Sequence, residues 1–267
     1  MTTRALVLTS TFRRHQFVVN RLAERLNVVG VWQEEKSFDP LNYADGDQDQ
    51  RVIAAHFAAR DESEATWFAA DETLRVDPRA PIRRVPPGGC NAAEAVDAMT
   101  RLGPDIVLVF GTGILKRDLI NAFPGRIINL HLGLSPYYRG AGTNFWPLVN
   151  AEPEYVGATI HYLDEGIDTG QILTHVRPAI ASDDGPHELG NRTIVAAADR
   201  LIDTAYAHAA GRVHPAAQEG KGRLYKRKDF SASAVRQLYR NFEAGMLRDY
   251  LQTKADRDGR LRLVDLR

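Results

Sequence analysis

Two short apolar runs separated by one helical stretch open the chain and limit the folds available to it. Ala5 to Thr9 (ALVLT) has the composition of a strand buried on both faces. Phe17, Val18, Leu22 and Leu26 then recur at helical spacing, and Asn27 to Trp32 (NVVGVW) returns to strand composition. Strand, helix and strand within about thirty residues form a βαβ unit, which implies parallel pairing through a right-handed crossover. The expected architecture is therefore α/β and Rossmann-like, a mostly parallel sheet flanked by helices.

A chain of 267 residues has room for one such domain and a small appendix. Its 34 Lys and Arg balance 34 Asp and Glu, so net charge points to neither nucleic acid nor an anionic membrane. The single cysteine, Cys90, excludes an internal disulfide and a thiolate-rich metal site. The apolar core of MTTRALVLTST is too short for a signal peptide or a spanning helix, so a cytoplasmic protein is expected.

The joint after the first strand holds Thr9, Ser10, Thr11, Arg13, Arg14 and His15. Hydroxyls and cations at a helix N-terminus suit an anion such as a phosphate; a capped, solvated helix start accounts for them equally well. No glycine-rich dinucleotide fingerprint is present, which argues against nicotinamide or flavin. Past the acidic stretch Gln33 to Gln50, Arg51 to Leu74 has helical composition with a charged interruption at Asp61 to Glu64, and Arg83 to Val85 suits a short strand. Ala92 to Arg101 is expected as helix, Asp105 to Phe110 as a buried strand, Leu119 to Phe123 as a short helix and Arg126 to His131 as the next strand.

Asn129 and His131 stand two apart on that last strand and therefore share a face. An amide and an imidazole side by side can polarise a carbonyl oxygen, and the imidazole can donate a proton near neutral pH. Taken alone, the pair also suits a hydrogen-bonded core. The loop Gly133 to Gly142 (GLSPYYRGAG) follows, Tyr155 to Tyr162 resumes a strand, and LDEGIDTGQI places Asp164, Glu165 and Asp168 in a turn. No second ligand cluster accompanies these acids, so no metal is expected. Asp168 sits where the chain re-enters the fold, as a partly buried carboxylate that can pass protons.

Asn129-Leu130-His131, the following Pro136, Arg139 and Gly140, and Asp168, Gly170 and Ile172 together resemble the 10-formyltetrahydrofolate-dependent formyltransferase family. The resemblance covers roughly residues 1 to 210 and is dense from Phe110 to Leu173. It implies a catalytic domain over 1–212 and a small extension over 213–267. Two departures matter. The family's usual S-L-L-P is Gly133-Leu134-Ser135-Pro136 here, and the Gly-Ser-Asn phosphate loop of the glycinamide ribonucleotide enzymes is replaced by TSTFRRH.

The resemblance implies that an acceptor amine attacks the formyl carbon of 10-formyltetrahydrofolate, with Asn129, His131 and Asp168 as the catalytic residues. It places the folate against Gly113, Ile114, Leu115 and Ile120, with Leu163, Asp164, Glu165 and Asp168 closing over it. His161 also matches a family position and is read here as structural. Candidates for holding the acceptor are Arg13, Arg14, His15, Tyr137, Arg139, Thr143 and Asn144.

The remainder is expected to comprise an amphipathic helix from His187 to Ala210, a basic stretch with Lys221, Arg223, Lys226, Arg227 and Lys228, a last helix over Leu238 to Leu251 and an irregular tail from Thr253. The basic stretch suits a nucleic acid or an anionic small substrate. The stretch after Gly220 is short for the β-barrel that methionyl-tRNA formyltransferases append, so no nucleic-acid partner is expected. The expected partner is a small-molecule amine, first a nucleotide-linked amino sugar, with a homodimer allowed. Hydroxyornithine, glycinamide ribonucleotide and methionyl-tRNA are the alternative acceptors. Hydrolysis of the formyl donor is a further alternative, set back because deformylases carry a domain before the first strand.

Overall fold

The computed structural model describes residues 3–36, 39–220 and 222–266. In chain order the first half comprises β1 (Arg4–Thr9), α1 (Arg13–Ala23), β2 (Asn27–Glu34), α2 (Asp47–Trp67), β3 (Ile82–Val85), α3 (Ala93–Arg101), β4 (Ile106–Val109), α4 (Arg117–Ala122) and β5 (Ile127–Leu132). The second half comprises β6 (Tyr138–Gly140), α5 (Phe145–Val149), β7 (Ala158–Tyr162), β8 (Ile172–Val176), α6 (Pro186–Ala209), β9 (Arg223–Tyr225), α7 (Ala232–Glu243), α8 (Met246–Gln252) and α9 (Lys254–Asp258).

Seven strands form one sheet in the order β3-β2-β1-β4-β5-β7-β8. The first five are parallel, and β7 pairs antiparallel with both β5 and β8. The expected Rossmann-like class is the class observed. The chain winds outward from β1 to β3 and then returns to the other side of β1 with β4, and such reversals open a crevice at the strand C-termini.

Both faces of the sheet are covered. Val7, Leu108, Ile128 and Ile160 pack beneath α1 and α6, whereas Leu8, Val107, Val109 and Ile127 pack against Met99 of α3 and Leu119 of α4. This explains the unbroken apolar runs of β1 and β4, since strands buried on two sides do not alternate. The amphipathic helix expected over His187 to Ala210 is α6, and it covers the sheet face as anticipated.

Several local expectations are corrected. α2 runs unbroken to Trp67 because its charges find partners: Arg60 with Asp61, and Glu64 with both Arg14 and Arg60. Its end is set by the buried, non-helical Phe68, not by Leu74. β7 begins at Ala158, after a single turn over Pro153–Tyr155. The expected last helix is two, α7 and α8, separated by Gly245 at φ 87°, a left-handed conformation that stops a helix.

The charged tail is ordered as well. Asp258 of α9 pairs with Arg177 and accepts from the Tyr250 hydroxyl. Val264 then exchanges bonds with His175 on the outer strand β8, its carbonyl accepting from His175 N at 2.7 Å and its N–H donating to Nδ1 at 2.9 Å. A tail laid along the edge strand satisfies backbone groups that would otherwise template pairing with another chain.

β6 and β9 form a separate two-stranded parallel sheet, aligning Tyr138 with Arg223 and Gly140 with Tyr225. The basic stretch is thereby attached to the loop that follows β5. Lys221, counted in that stretch, lies outside the described residues.

Candidate active site

Asn129 and His131 project from β5, and the antiparallel register sets Asn129 opposite His161 of β7. His161 Nδ1 lies 2.8 Å from the carbonyl of Tyr162, so it carries the ring proton and leaves Nε2 as an acceptor. Asn129 Nδ2 donates to that Nε2 at 3.1 Å. The amide is thus held with one N–H engaged and a second left for a ligand. Burial first, and the neighbouring His131 second, hold His161 below the ordinary histidine range, consistent with a neutral anchor.

His131 Nδ1 lies 3.3 Å from Asp168 Oδ1, and its buried Nε2 has no hydrogen-bond partner among the described residues. Asp168 Oδ2 accepts the N–H of Gly140 at 3.3 Å, and Gln218 Nε2 donates to the carbonyls of Asp168 and Gly170 at 2.7 and 2.8 Å. The trio read from the sequence is therefore brought together by β5, the turn before β8, and a residue beyond α6. An imidazole oriented by a carboxylate, beside an amide with a spare N–H, can stabilise an oxyanion and move a proton.

The loop after β4 lies beside this turn. Glu34, buried at the end of β2, accepts the N–H of Gly113 at 2.8 Å. Lys36 donates to Thr112 O at 3.3 Å, and Asn91 ties Ile114 O at 3.0 Å and Lys116 N at 2.7 Å. Ile114 is 73% exposed, whereas Leu115, Ile120 and Leu163 pack into one apolar cluster. Glu165 clasps Arg117 at 2.8 and 2.9 Å, and Asp164 caps its turn through Gly166 N and the Thr169 hydroxyl. The residues expected around the folate thus form two facing rims.

The expected acceptor residues divide. Arg13 pairs with Glu72 on the surface, and His15 is buried against Phe110 at 4.8 Å, so of the three polar side chains at the start of α1 only Arg14 lines the main cavity. Burial, then Arg14, push His15 well below the histidine range. Tyr137 accepts Arg262 N from the tail at 2.6 Å, and Thr143 donates to Leu132 O. Asn144 accepts Gly157 N at 3.0 Å and keeps Nδ2 unpartnered at the cavity wall. Arg139 Nε is buried with no hydrogen-bond partner among the described residues.

That cavity, of about 640 Å³, begins at Leu132, Gly142 and Asn144 and extends over α2, α6 and α7. Arg14, Lys36, Arg60, Lys226 and Arg227 are its cationic lining, with Phe12, Phe57, Phe145 and Phe230 among its aromatic lining. Asp61 and Glu64 also line it, and Glu64 is paired with Arg14. Arg223, by contrast, is bound to Glu152 at 2.6 and 2.9 Å and to the Tyr138 hydroxyl at 2.6 Å. The basic stretch thus supplies two cations to the cavity and one to a structural clasp. Glu34, Asn91 and the cavity residues Lys36 and His56 carry no signal in the sequence, each being a common residue type placed only by the fold, whereas Lys226 and Arg227 belong to the basic stretch read as suiting a nucleic acid or an anionic small substrate.

A profile of the family described as formyl transferase matches residues 49–205. A methionyl-tRNA formyltransferase of Solibacter usitatus is 35% identical over 127 residues, 47% of this chain and 40% of that protein. A chloroplastic phosphoribosylglycinamide formyltransferase of Arabidopsis thaliana is 36% identical over 117 residues, 42% of this chain and 40% of that protein. The chain thus spans about 40% of the length of the curated relatives it matches. The crystal structure of a Shewanella sugar N-formyltransferase superposes with a TM-score of 0.54 at 18% identity, covering 85% of this chain and 78% of that one, a likeness of fold.

Proposed function

Since the chain belongs to the formyl transferase family, we propose that it transfers the formyl group of 10-formyltetrahydrofolate to an amine on a nucleotide-linked amino sugar. The observation that carries the transfer reaction is the clustering of Asn129, His131 and Asp168 at one strand end, with the unpartnered His131 Nε2 beside them.

The folate supplies an activated formyl carbon. The two rims suit it: the Gly113 N–H is taken by Glu34, and a Cβ at Gly113 would meet Glu34 Oε1 at 2.6 Å, so a side chain there would have to displace that carboxylate. Leu115, Ile120 and Leu163 offer an apolar seat, with Ile114 exposed above it. The spare N–H of Asn129 and the imidazolium form of His131 meet the oxygen as it becomes negative, each worth about 3 kcal/mol when well placed. Asp168 holds His131 in orientation and takes the amine proton, directly or through one water. The formyl carbon gains the amine nitrogen and loses N10 of the folate, which leaves as tetrahydrofolate carrying the proton.

The acceptor reading is supported by the cavity that begins one residue past His131. Cations suit a diphosphate and aromatic faces suit a base, and this cavity carries several of each. On this reading residues 1–212 perform the chemistry, and the extension from 213 completes the acceptor site through Lys226, Arg227 and Phe230. The setting is the cytoplasm and the partner a small molecule.

The test is a panel of amines incubated with 10-formyltetrahydrofolate while tetrahydrofolate release is followed. Release that depends on a nucleotide-linked amino sugar is expected. Release driven instead by hydroxyornithine, glycinamide ribonucleotide or methionyl-tRNA replaces the acceptor, and release without any amine replaces transfer by hydrolysis.

A further inference from the structure

Beyond α9 the chain runs back to the loop that follows β5 and is tied to it at two points. Arg262 N–H donates to the Tyr137 hydroxyl at 2.6 Å. The second tie passes through His175, which is 5% exposed. Val264 N–H donates to its Nδ1 at 2.9 Å, and its Nε2 lies 2.8 Å from the carbonyl of Ser135. A backbone N–H only donates and a carbonyl only accepts, so these two partners fix the ring: Nδ1 is the acceptor, and Nε2 carries the proton given to Ser135. The imidazole is thus a bridge between the backbone of the tail and the backbone of the loop.

The loop held in this way meets the trio at both ends. At its start, a Cβ on Gly133 would stand 3.0 Å from His131 Nε2, so the backbone there borders the atom left for the substrate. At its far end Gly140 N–H donates to Asp168 Oδ2 at 3.3 Å. The two residues tied to the tail lie between these ends, and each is gripped a second time. The Thr159 hydroxyl accepts Ser135 N–H at 2.8 Å and donates to the Gly133 carbonyl at 2.6 Å. Arg223 N–H donates to the Tyr137 carbonyl at 2.9 Å.

The tail contributes backbone groups to both ties, so what counts is its path and not its side chains. The Arg262 side chain reaches Glu219 at 3.4 Å with both groups largely exposed, a contact that contributes little. Tyr137, expected from the sequence to hold the acceptor, instead has its hydroxyl committed to the tail.

We propose that residues 261–265 are a clamp on the loop over 133–142, with His175 as the positioning residue that carries the grip to Ser135, so that Gly133 and Gly140 set His131 and Asp168 for transfer. This rests on the formyl-transfer reading above. Misplacing a reacting group by about 1 Å can cost up to about 10²-fold in rate, which gives the clamp its leverage. The folate seat at Leu115, Ile120 and Leu163 belongs to a different cluster, so releasing the clamp should spare folate binding.

The test separates the tail's backbone from its side chains. Arg262→Pro and Val264→Pro each delete one N–H, whereas Arg262→Ala and Val264→Ala keep it. Steady-state kinetics, hydrogen exchange of residues 133–142 by mass spectrometry and circular dichroism are measured on the full chain. Each Pro variant is expected to lower kcat by about tenfold, to leave KM for 10-formyltetrahydrofolate within about twofold and to speed exchange in the loop. The Ala variants should stay within about twofold of the wild type in all three. Tyr137→Phe deletes the acceptor of Arg262 N–H from the loop side and should match Arg262→Pro; it decides the matter if the Pro variants do not fold. Wild-type kcat and exchange in the Pro variants overturn the clamp, and so do equal losses in the Pro and Ala variants. Exchange needs no substrate. If the wild type turns over no amine, formyl transfer falls while exchange alone decides the clamp, faster in the Pro variants upholding it and unchanged overturning it.

Discussion

Asp168 reaches His131, with Oδ1 3.3 Å from Nδ1, from a backbone position of φ 51° that L-residues seldom occupy. A non-glycine residue in this region costs about 1–3 kcal/mol and persists where its surroundings hold it. Here Gly140 N binds the carboxylate and Gln218 binds the carbonyl. Asp168→Asn and His131→Ala should each lower kcat by about 10²–10³ with little change in Tm. Transfer at the wild-type rate by either variant removes the assigned roles.

His161 acts through Asn129. Replacing it by Leu removes the acceptor that holds the amide and should lower kcat by about tenfold, with smaller changes in KM for either substrate. His161→Gln, which keeps an acceptor, should recover part of the loss. Equal rates for the Leu and Gln variants would mean that the imidazole only fills space.

Glu34 is the latch of the β4 loop, and its second oxygen is buried without a hydrogen-bond partner among the described residues. Glu34→Ala frees Gly113 N and should raise KM for 10-formyltetrahydrofolate more than it lowers kcat, with a stability loss of about 1–3 kcal/mol. Steady-state kinetics and urea unfolding measure the two separately. A loss confined to kcat contradicts the latch. Burial also pushes Cys90, beside Glu34, up to about 12, so this thiol should resist alkylation in the folded protein.

Gly140 joins three parts of the molecule. Its N–H serves Asp168, its φ of 90° suits glycine, and a Cβ there would stand 2.2 Å from Tyr225 O. Gly140→Ala should separate β6 from β9, raise KM for the acceptor and destabilise the fold by about 1–3 kcal/mol. An unchanged acceptor KM would detach the C-terminal segment from substrate binding.

Stability should fall in mild acid. Burial lowers His15, His56, His161 and His175 from 6.5 in the folded chain. Below that value the unfolded chain takes up protons that the folded chain refuses, so the unfolded state binds more protons and stability rises with pH. Stability is thus fully present above about pH 6.5 and is lost as pH falls toward the folded values, about 3 for His56. Each such group contributes up to about 1.4 kcal/mol per pH unit. Urea midpoints at pH 7.5 and 5 measure the slope, and equal midpoints contradict it.

Local composition was enough to determine the parallel half of the sheet, and the family resemblance picked out Asn129, His131 and Asp168. ALVLT, NVVGVW and DIVLVF are apolar without alternation because strands buried on both faces have no polar side, and the N-x-H spacing puts two side chains on one face of β5. The unbroken α2, the split of the last helix at Gly245 and the docked tail were not apparent, because each depends on partners far along the chain: Arg14 for Glu64, Arg177 for Asp258, His175 for Val264. The phosphate-binding reading of TSTFRRH met the same limit. Only the tertiary structure turned Arg13 to Glu72, buried His15 and left Arg14 at the cavity. The stretch from Ile127 to Ile172 carries the residues proposed for the chemistry, since that chemistry needs particular residue types at particular spacings. What surrounds it was decided in three dimensions: His161 behind Asn129, Glu34 behind Gly113, and two cations from the basic stretch, carried to the cavity by β9. Burial and long-range hydrogen bonds select those residues, and neither leaves a periodic mark on the sequence.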